Sequence, residues 1–347
     1  MKKGLLIAGG CSLVGLALMA VALLGTRNLA ADFSTKTVAS ERQEYVCSNE
    51  IKFIEADITS DNLEIRTGDV DTVCLTYYDR PEYYEYEISE SGDTLKIRYK
   101  DLNGPVHFVV DIGYVPDEPV TITVPESFAG KADLNSSSGS IYAENLTVSS
   151  LDIGNTSGSI SVIGITSEGK VNLTNTSGSI SVERLNSAGL KASNTSGGIT
   201  IEDADIRGDL QGKSSSGSIR LISVSAEGDV NISNTSGSRT LEDVTAANIS
   251  AEGNSGSFKA ERVSVSDSLT SSTTSGSTRF EELSAGHSIK ITASSGSVSG
   301  SITGSEDDFS IIASTTSGSC NLTNSREGDK TLDISTTSGS VNIDFTE

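Results

Sequence analysis

The stretch NTSGSISV at residues 155–162 decides the fold, because the chain repeats it with a period near 20 residues. A Ser-Gly corner recurs eleven times, and the steps between successive corner glycines are 19 to 22 residues. So regular a spacing is typical of a repeat architecture and not of chance. The corner glycines are Gly139, Gly158, Gly178, Gly197, Gly217, Gly237, Gly256, Gly276, Gly296, Gly318 and Gly339.

Apolar residues stand at fixed distances from each corner glycine. Ile160 and Ile180 lie two residues after it, and Val162 and Val182 lie four after it. This period of two predicts strands with one face turned inward. One coil cannot bury that face alone, so we expect coils to stack about 4.8 Å apart and to pair equivalent strands. The sequence therefore predicts an all-β chain folded as a single-stranded parallel β-helix of about 10 to 11 coils.

The corner motif itself has the composition of a tight turn. Glycine supplies the positive φ that a sharp corner needs, and Asn, Ser and Thr side chains satisfy turn backbone groups. Stacked Asn or Thr would also add hydrogen bonds between coils. No strand-to-helix context and no lysine follow the motif, so we interpret it as architecture and not as a phosphate-binding loop.

The N-terminus predicts a membrane anchor. Lys2 and Lys3 precede the uncharged apolar run Gly4–Leu24, which is long enough for a helix to cross a bilayer core of roughly 30 Å. We expect a transmembrane anchor in residues 1–25, with the N-terminus cytoplasmic and the bulk of the chain extracytoplasmic in the cell envelope. A cleaved signal peptide is the alternative, although the run exceeds the usual length of its apolar region.

The rest of the chain divides into three parts by composition and by the presence of the repeat. We expect a juxtamembrane linker at residues 26–43, a β-rich N-terminal cap region at 44–130 and the β-helix repeat domain at 131–347. The cap region holds several strand-like apolar runs and most of the tyrosines. A solenoid needs its end covered, which is the role that this region would serve.

These features together resemble a bacterial family of "putative adhesin" proteins with β-strand repeats, which is known as a domain of unknown function. The resemblance rests on the short apolar anchor, on Thr121–Pro125, and on the coils that begin at Ser138–Ile141 and Ser157–Ile160. It covers almost everything after Glu44. It implies a right-handed β-helix and a cell-envelope setting, and some relatives are associated with envelope stress and antimicrobial-peptide responses. It supplies no catalytic residues.

Candidate catalytic and metal-binding groups are scarce. His107 and His287 have no neighbouring nucleophile and no metal-ligand spacing, and the four cysteines form no CxxC motif. We expect no enzyme, no catalytic residue and no cofactor. Cys47 and Cys74 could pair outside the cell or remain two small strand residues, and both interpretations stay open.

A column of carboxylates follows the corner glycines by five residues and alternates with inward positions, so it points outward. Stacking would bring some of these side chains about 5 Å apart, where mutual repulsion should raise some of their pKa values. The column could instead bind Ca²⁺ weakly through oxygen ligands, although no dedicated calcium motif is present and a solvated face is the simpler interpretation. The candidates are Glu183, Glu202, Glu242, Glu261 and Glu281.

One aromatic cluster lies in the cap region. Tyrosine offers a flat ring and a hydroxyl, so the cluster could bind a sugar or a protein. Alternate strand residues that pack the cap would give the same pattern. The cluster comprises Tyr77, Tyr78, Tyr83, Tyr84 and Tyr86.

The formal net charge of −22 excludes nucleic acid as a partner, because its phosphates would be repelled. We expect a non-enzymatic cell-surface scaffold or adhesin-like protein, held in the membrane through Gly4–Leu24 and contacting an unknown protein or cell-wall polymer. The alternative is a protein that senses or sequesters cationic peptides during envelope stress. A polysaccharide-active β-helix enzyme ranks third, because the coil spacing leaves no room for long loops that build a cleft.

Overall fold

The computed structural model describes residues 41–79, 84–102 and 118–346. The predicted anchor Gly4–Leu24, the linker up to residue 40, Tyr83 and His107 lie outside the described residues. Within the described part of the chain, no helix is long and apolar enough to cross a membrane. These described residues form one compact unit.

The described chain is almost entirely β-strand, with one short 3₁₀ helix at Glu306–Asp308. Two long sheets contain the strands, one of 15 and one of 14. The strands are β1 (Glu41–Val46), β2 (Phe53–Ile58), β3 (Leu63–Thr67), β4 (Cys74–Asp79), β5 (Tyr84–Ser91), β6 (Thr94–Asp101), β7 (Val120–Val124), β8 (Lys131–Ser136), β9 (Ile141–Glu144), β10 (Thr147–Val148), β11 (Ser150–Ser157), β12 (Ile160–Ser167), β13 (Lys170–Ser177), β14 (Ile180–Ser187), β15 (Gly189–Ser196), β16 (Ile199–Ile206), β17 (Leu210–Ser216), β18 (Ile219–Ala226), β19 (Val230–Ser236), β20 (Arg239–Ala246), β21 (Ile249–Ser255), β22 (Phe258–Val265), β23 (Ser268–Ser275), β24 (Thr278–Ala285), β25 (Ser288–Ser295), β26 (Val298–Thr303), β27 (Phe309–Ser317), β28 (Lys330–Ser338) and β29 (Val341–Thr346).

Each coil contributes one strand to each sheet. β12 lies in the first sheet, the chain turns, and β13 returns in the second sheet before the corner at Gly178. The next coil lies in parallel register one repeat further along, so Ile160 pairs with Ile180. The described chain is a β-solenoid of about 10 turns with a period near 20 residues, which confirms the predicted all-β repeat.

The core consists of the aliphatic columns that the sequence predicts. Ile160, Val162, Ile180 and Val182 are each at most 1% exposed, and they stack on one another through the strand register. Burying one such side chain contributes roughly 1.5–3 kcal/mol. The interior is therefore held mainly by repeated aliphatic contacts between neighbouring coils.

The N-terminal region extends the solenoid before ending it. β2 and β3 pair in parallel with β8 and β9, and β6 and β7 continue the two sheets outward. Antiparallel strands then finish both sheets, because β5 pairs with β6, β4 with β7, and β1 with β4. These antiparallel pairs interrupt the parallel stacking at this end.

The last two coils are exchanged in space relative to their order in the chain. β28 lies between β25 and β27, so the strand that comes later in the sequence is the inner one. The corners agree, because a Cβ on Gly339 would lie 2.2 Å from the carbonyl oxygen of Gly296, and one on Gly318 would lie 2.1 Å from that of Gly339. Cys320 and Leu322 follow Gly318 at inward positions but are only half-buried, because their coil is at the end.

Cys47 and Cys74 are both free thiols. Cys74 pairs with the exposed Val46, whereas the next residue, Cys47, is buried and its backbone N–H donates to the Val73 carbonyl. Neighbouring strand residues point to opposite faces, so the two thiols lie on opposite sides of the sheet. Burial raises the pKa of the Cys47 thiol to about 12, which keeps it protonated.

Candidate functional site

The corners of successive coils form a continuous surface, which we call the corner ridge. It comprises the two residues before and the one residue after each corner glycine from Gly158 to Gly339. None of these 30 positions carries a charge, and 28 of them are serine or threonine, the exceptions being Gly198 and Asn254. One row holds ten exposed serines: Ser157, Ser177, Ser196, Ser216, Ser236, Ser255, Ser275, Ser295, Ser317 and Ser338.

Strand register sets the spacing of the ridge. Ser157 pairs with Ser177, Ser177 with Ser196, and the same pairing continues to Ser338 and Ser317 at the far end. Neighbouring parallel strands lie about 4.8 Å apart, so the hydroxyls repeat at that distance along the axis. The ridge is therefore a regular uncharged array on a chain whose formal net charge is −22.

Close packing explains the glycine at every corner. A Cβ on Gly178 would lie 2.1 Å from the Gly158 carbonyl oxygen, and one on Gly217 would lie 2.0 Å from that of Gly197. Positive φ applies at nine of the eleven corner glycines, with Gly139 and Gly217 as exceptions. Every corner therefore requires glycine because the backbone of one coil lies so close to the next that a Cβ would not fit. Most corners also have a positive φ, which favours glycine further.

A buried ladder of amides and hydroxyls supports the ridge from inside. Asn175 Nδ2 donates to the Gly158 carbonyl at 2.9 Å, and Asn194 Nδ2 donates to that of Gly178 at 2.7 Å. Equivalent bonds link Asn155, Ser214, Asn234, Thr273 and Thr336 to corner carbonyls. The predicted inter-coil ladder is present, and it runs from side chain to backbone.

The ladder breaks at Gly253, where Arg239 occupies the missing side chain's place. A Cβ on Gly253 would lie 1.2 Å from Arg239 Nη1. Nη1 donates to Asn234 Oδ1 at 3.1 Å and Nη2 donates to the Gly256 carbonyl at 3.3 Å, while Nε has no partner. Arg239 is fully buried, and burial lowers the pKa of its guanidinium.

The carboxylate column follows the predicted register in part. Glu183 pairs with Glu202, and Glu261 lies between Glu242 and Glu281. Ile222 separates these two groups, since it pairs with both Glu202 and Glu242. The structure therefore brings the five candidates together as a pair and a triplet.

Basic side chains neutralise much of the triplet. Arg262 contacts Glu242 at 3.2 Å, Asp243 at 2.6 Å and also Glu261, and Lys259 Nζ lies 2.6 Å from Glu261. In the other group, Arg184 contacts Glu183. Hydrogen bonds from Lys259 and then Arg262 lower the pKa of the Glu261 carboxyl. At Glu261, two cations of its own strand, Lys259 and Arg262, therefore outweigh repulsion from the stacked carboxylates.

Over the described ranges, no group of three or more histidine, cysteine, aspartate or glutamate side chains is arranged to hold a metal ion. His287 Nδ1 lies 3.2 Å from Asp267 Oδ1 on an exposed turn, and the histidine side chain is 77% exposed. This pair forms part of the polar row along that turn, where Asn248 also donates to Asp229.

The tyrosines of the cap pack against one another. Tyr84 and Tyr86 are buried, and both hydroxyls donate to Asp61 Oδ2, at 3.1 and 2.5 Å. Tyr77 and Tyr99 complete the cluster, with ring centroids 5.6 Å from Tyr86 and 5.0 Å from Tyr84 respectively. Burial, followed by the Asp61 charge, raises the pKa of Tyr86. These contacts fasten the β5–β6 hairpin to the turn between β2 and β3, while Tyr78 is half-buried.

A groove of about 490 Å³ opens in the cap region, and its apolar lining includes Ile51, Phe53 and Phe128. Glu90 fixes one wall, because its carboxylate accepts the backbone N–H groups of Ser48 and Asn49 at 2.9 Å each. These bonds, with one from the Tyr45 hydroxyl, lower the pKa of Glu90 to about 2. No pattern in the sequence indicated this groove, because its walls come from separate turns.

A second feature missed from the sequence is a column of left-handed residues in the first sheet. Six residues after each corner glycine from Gly139 to Gly276, the chain bends with φ between 51° and 67°. Glycine fills only one of these positions, Gly164. The others are Asn145, Arg184, Asp203, Ser223, Asp243, Arg262 and Glu282. The enrichment in Asn and Asp was the only available signal.

Comparison with solved structures finds low similarity. A "putative adhesin" from Parabacteroides distasonis is 11% identical with a TM-score of 0.38, covering 88% of this chain and 98% of that one. A "putative adhesin" from Bacteroides fragilis is 11% identical with a TM-score of 0.29, covering 88% and 97%. A "putative cell adhesion protein" from Clostridium sporogenes is 10% identical with a TM-score of 0.28, covering 89% and 100%. Similarities this low carry no functional conclusion.

No curated protein matches the sequence. The profile of the Toastrack DUF4097 family matches residues 51–228 and, in an overlapping second match, residues 207–347. The matches cover both the cap and the repeats, and they agree with the resemblance drawn from the corner motifs. The chain therefore belongs to the Toastrack DUF4097 family.

Proposed function

We propose that this protein is a non-enzymatic, adhesin-like scaffold whose corner ridge contacts a neutral, hydroxyl-rich polymer such as a cell-wall glycan. The observation that carries the proposal is the absence of charge from all 30 ridge positions of a chain with formal charge −22. A surface kept free of charge over the whole repeat domain suits a partner that offers hydroxyls and no ions.

The chemistry of the ridge supports this choice. Each serine or threonine hydroxyl both donates and accepts hydrogen bonds, as sugar hydroxyls do. One such hydrogen bond contributes little to binding, because water competes for the same groups. A rod that presents ten coils in register can form many of these bonds at once with a repeating polymer, and their contributions to the affinity combine. A strongly anionic polymer would be repelled by the rest of the chain.

The proposal places the rod outside the membrane, held by the apolar run Gly4–Leu24. Its support is the length of that run and the lysines before it. Protease added to intact, wall-stripped cells should then digest the repeat domain. Protection of that domain would contradict the proposed topology.

A second candidate function is the capture or sensing of cationic peptides. The formal charge of −22 favours it, and so does the carboxylate column around Glu242 and Glu261. Binding of this kind would weaken steeply with salt, because it rests on screened charges. Ridge binding to a neutral polymer should change little over the same salt range.

The deciding experiment is co-sedimentation of the full chain with insoluble cell-wall polysaccharide. Lysines replace two exposed ridge threonines, Thr176 and Thr195, because a charged side chain interrupts the hydroxyl rows. The matched control places lysine at two exposed threonines of the flat faces, Thr166 and Thr270. We expect at least tenfold weaker sedimentation for the ridge variant alone. Equal binding by both variants would refute the ridge as the contact surface.

A further inference from the structure

The C-terminal end of the solenoid is formed by the outermost strand of each sheet, β27 in one and β29 in the other. Such strands present unpaired N–H and C=O groups that can pair with another chain. Here the segment Ser319–Ser325, which we call the edge strap, crosses both strands.

At β29 the strap copies the pairing of a further strand. Val341 N donates to the Ser319 carbonyl at 2.8 Å, and Asn321 N donates to the Val341 carbonyl at 3.2 Å. The Asn321 side chain continues the pattern, because Oδ1 accepts from Ile343 N at 2.9 Å and Nδ2 donates to the Ile343 carbonyl at 2.8 Å. One amide thus satisfies both backbone groups of a strand residue.

At β27 the other end of the strap does the same. Ile311 N donates to the Ser325 carbonyl at 3.0 Å, and Ser325 N donates back to the Ile311 carbonyl at 3.1 Å. Asn324 Oδ1 accepts from Ala313 N at 2.7 Å. Asparagine amides therefore extend the backbone pairing on both edges.

The exchange of the last two coils holds the strap in place. Because β27 is outermost and β28 returns inside it, the strap is tethered at both ends and is not a loose tail. Two residues of the strap itself, Cys320 and Leu322, are half-buried and pack against the core. Beside it, Ile312 of β27 is 56% exposed.

We propose that the edge strap prevents the C-terminal end from pairing with the same end of a second copy of this chain. A two-fold axis would set the edges of two copies antiparallel, which is a favourable strand pairing. The second copy is the fitting partner, because its aliphatic columns have the same spacing and end on the same residues. Displacing the strap exposes this self-association surface.

The test measures the mass of the full chain in a mild detergent by light scattering across a concentration series. Replacing both strap amides, Asn321→Ala with Asn324→Ala, should shift self-association to at least tenfold lower concentration than wild type. The control is Asn342→Ala, which changes an exposed asparagine on β29 itself and should behave as wild type. Adding Ile312→Lys to the double variant should restore the wild-type mass, because lysine on an edge strand opposes pairing.

A double variant with wild-type mass at every concentration would overturn the proposal. So would equal association of the Asn342→Ala control, or association that Ile312→Lys leaves unchanged. Should the double variant fail to fold, hydrogen exchange on the wild-type chain decides. The amides of Ile311, Ala313, Val341 and Ile343, which donate to the strap, should then exchange together and at least tenfold faster than the interior amide of Val298. Equal protection would show that the strap does not open as a unit.

Discussion

Arg239 and Gly253 break two columns of the solenoid together, and a double-mutant cycle tests whether they depend on each other. The changes are Arg239→Ile, which matches the column of Ile219, and Gly253→Asn, which matches the ladder of Asn234. Each change gives its position the residue type that neighbouring coils carry. We expect the two changes to be strongly non-additive.

The structure sets the size of each effect. Gly253→Asn alone places its Cβ 1.2 Å from Arg239 Nη1 and 2.4 Å from Cζ, so overpacking should cost about 1–3 kcal/mol. Arg239→Ile alone removes a buried guanidinium that has no carboxylate partner, which should stabilise the chain. It also removes the hydrogen bonds to Asn234 and Gly256, at about 1 kcal/mol each, so its net effect on the free energy of unfolding should be small. Together they restore an aliphatic column and an amide ladder, which should stabilise the chain by about 1–4 kcal/mol.

The assay is urea unfolding of the four chains, followed by circular dichroism under one detergent condition. We expect a coupling of at least about 2 kcal/mol, with Gly253→Asn destabilising in the wild-type background and stabilising in the Arg239→Ile background. If Gly253→Asn costs the same in both backgrounds, the guanidinium does not fill the place of that side chain and the reasoning fails.

Four further outcomes follow from the structure. Val182→Asp should lower the melting temperature sharply, because an unpaired charge in the core costs several kcal/mol, and an unchanged melt would contradict the strand register. Ser223→Gly should raise the free energy of unfolding by about 0.5–1 kcal/mol, because φ there is 53°, whereas Ser223→Val should lower it. The pKa of Glu90 is lowered to about 2, so its stabilising contribution is present above its ordinary pKa of 4.5 and is lost as pH falls toward 2; Glu90→Gln should flatten that part of the stability profile. Ca²⁺ should stabilise the chain no more than Na⁺ at equal ionic strength, because Arg184, Lys259 and Arg262 already contact the carboxylates, and a calcium-specific rise that disappears on changing the column to glutamine would contradict this. The glutamines for that test replace Glu183, Glu202, Glu242 and Glu261.

The repeated columns made the interior predictable from the sequence. Alignment on the corner glycines placed Ile160 and Val182 in the core, and both are buried in the parallel register expected. Alternation of inward and outward residues is a local property of a strand, so one sequence displays it directly.

The order of the last two coils was not predictable, because the same local alternation recurs in every coil. The inward residues of β27 and β28 stand in the same register, so the inward pattern does not say which of the two strands pairs with β25. Arg239 appeared only as a departure from a column, because its contact with Gly253 depends on a side chain that reaches across to a following coil. The tyrosine cluster left two interpretations open, and the position of Asp61 beneath Tyr84 and Tyr86 explains their burial.

The exchanged coils also bear on how synthesis can complete the rod. Coils can be added in the order of translation up to β26, but β28 must then enter a gap that lies inside β27. A nascent chain that ends near Gly318 has no β28, and its β27 can pair directly with β25, because their columns match. Completion of the fold would then require β28 to displace β27 from β25, which predicts a slow last phase in refolding. Chains truncated after Gly318 should lack that phase, and its persistence in them would show that the phase does not come from the displacement of β27 by β28.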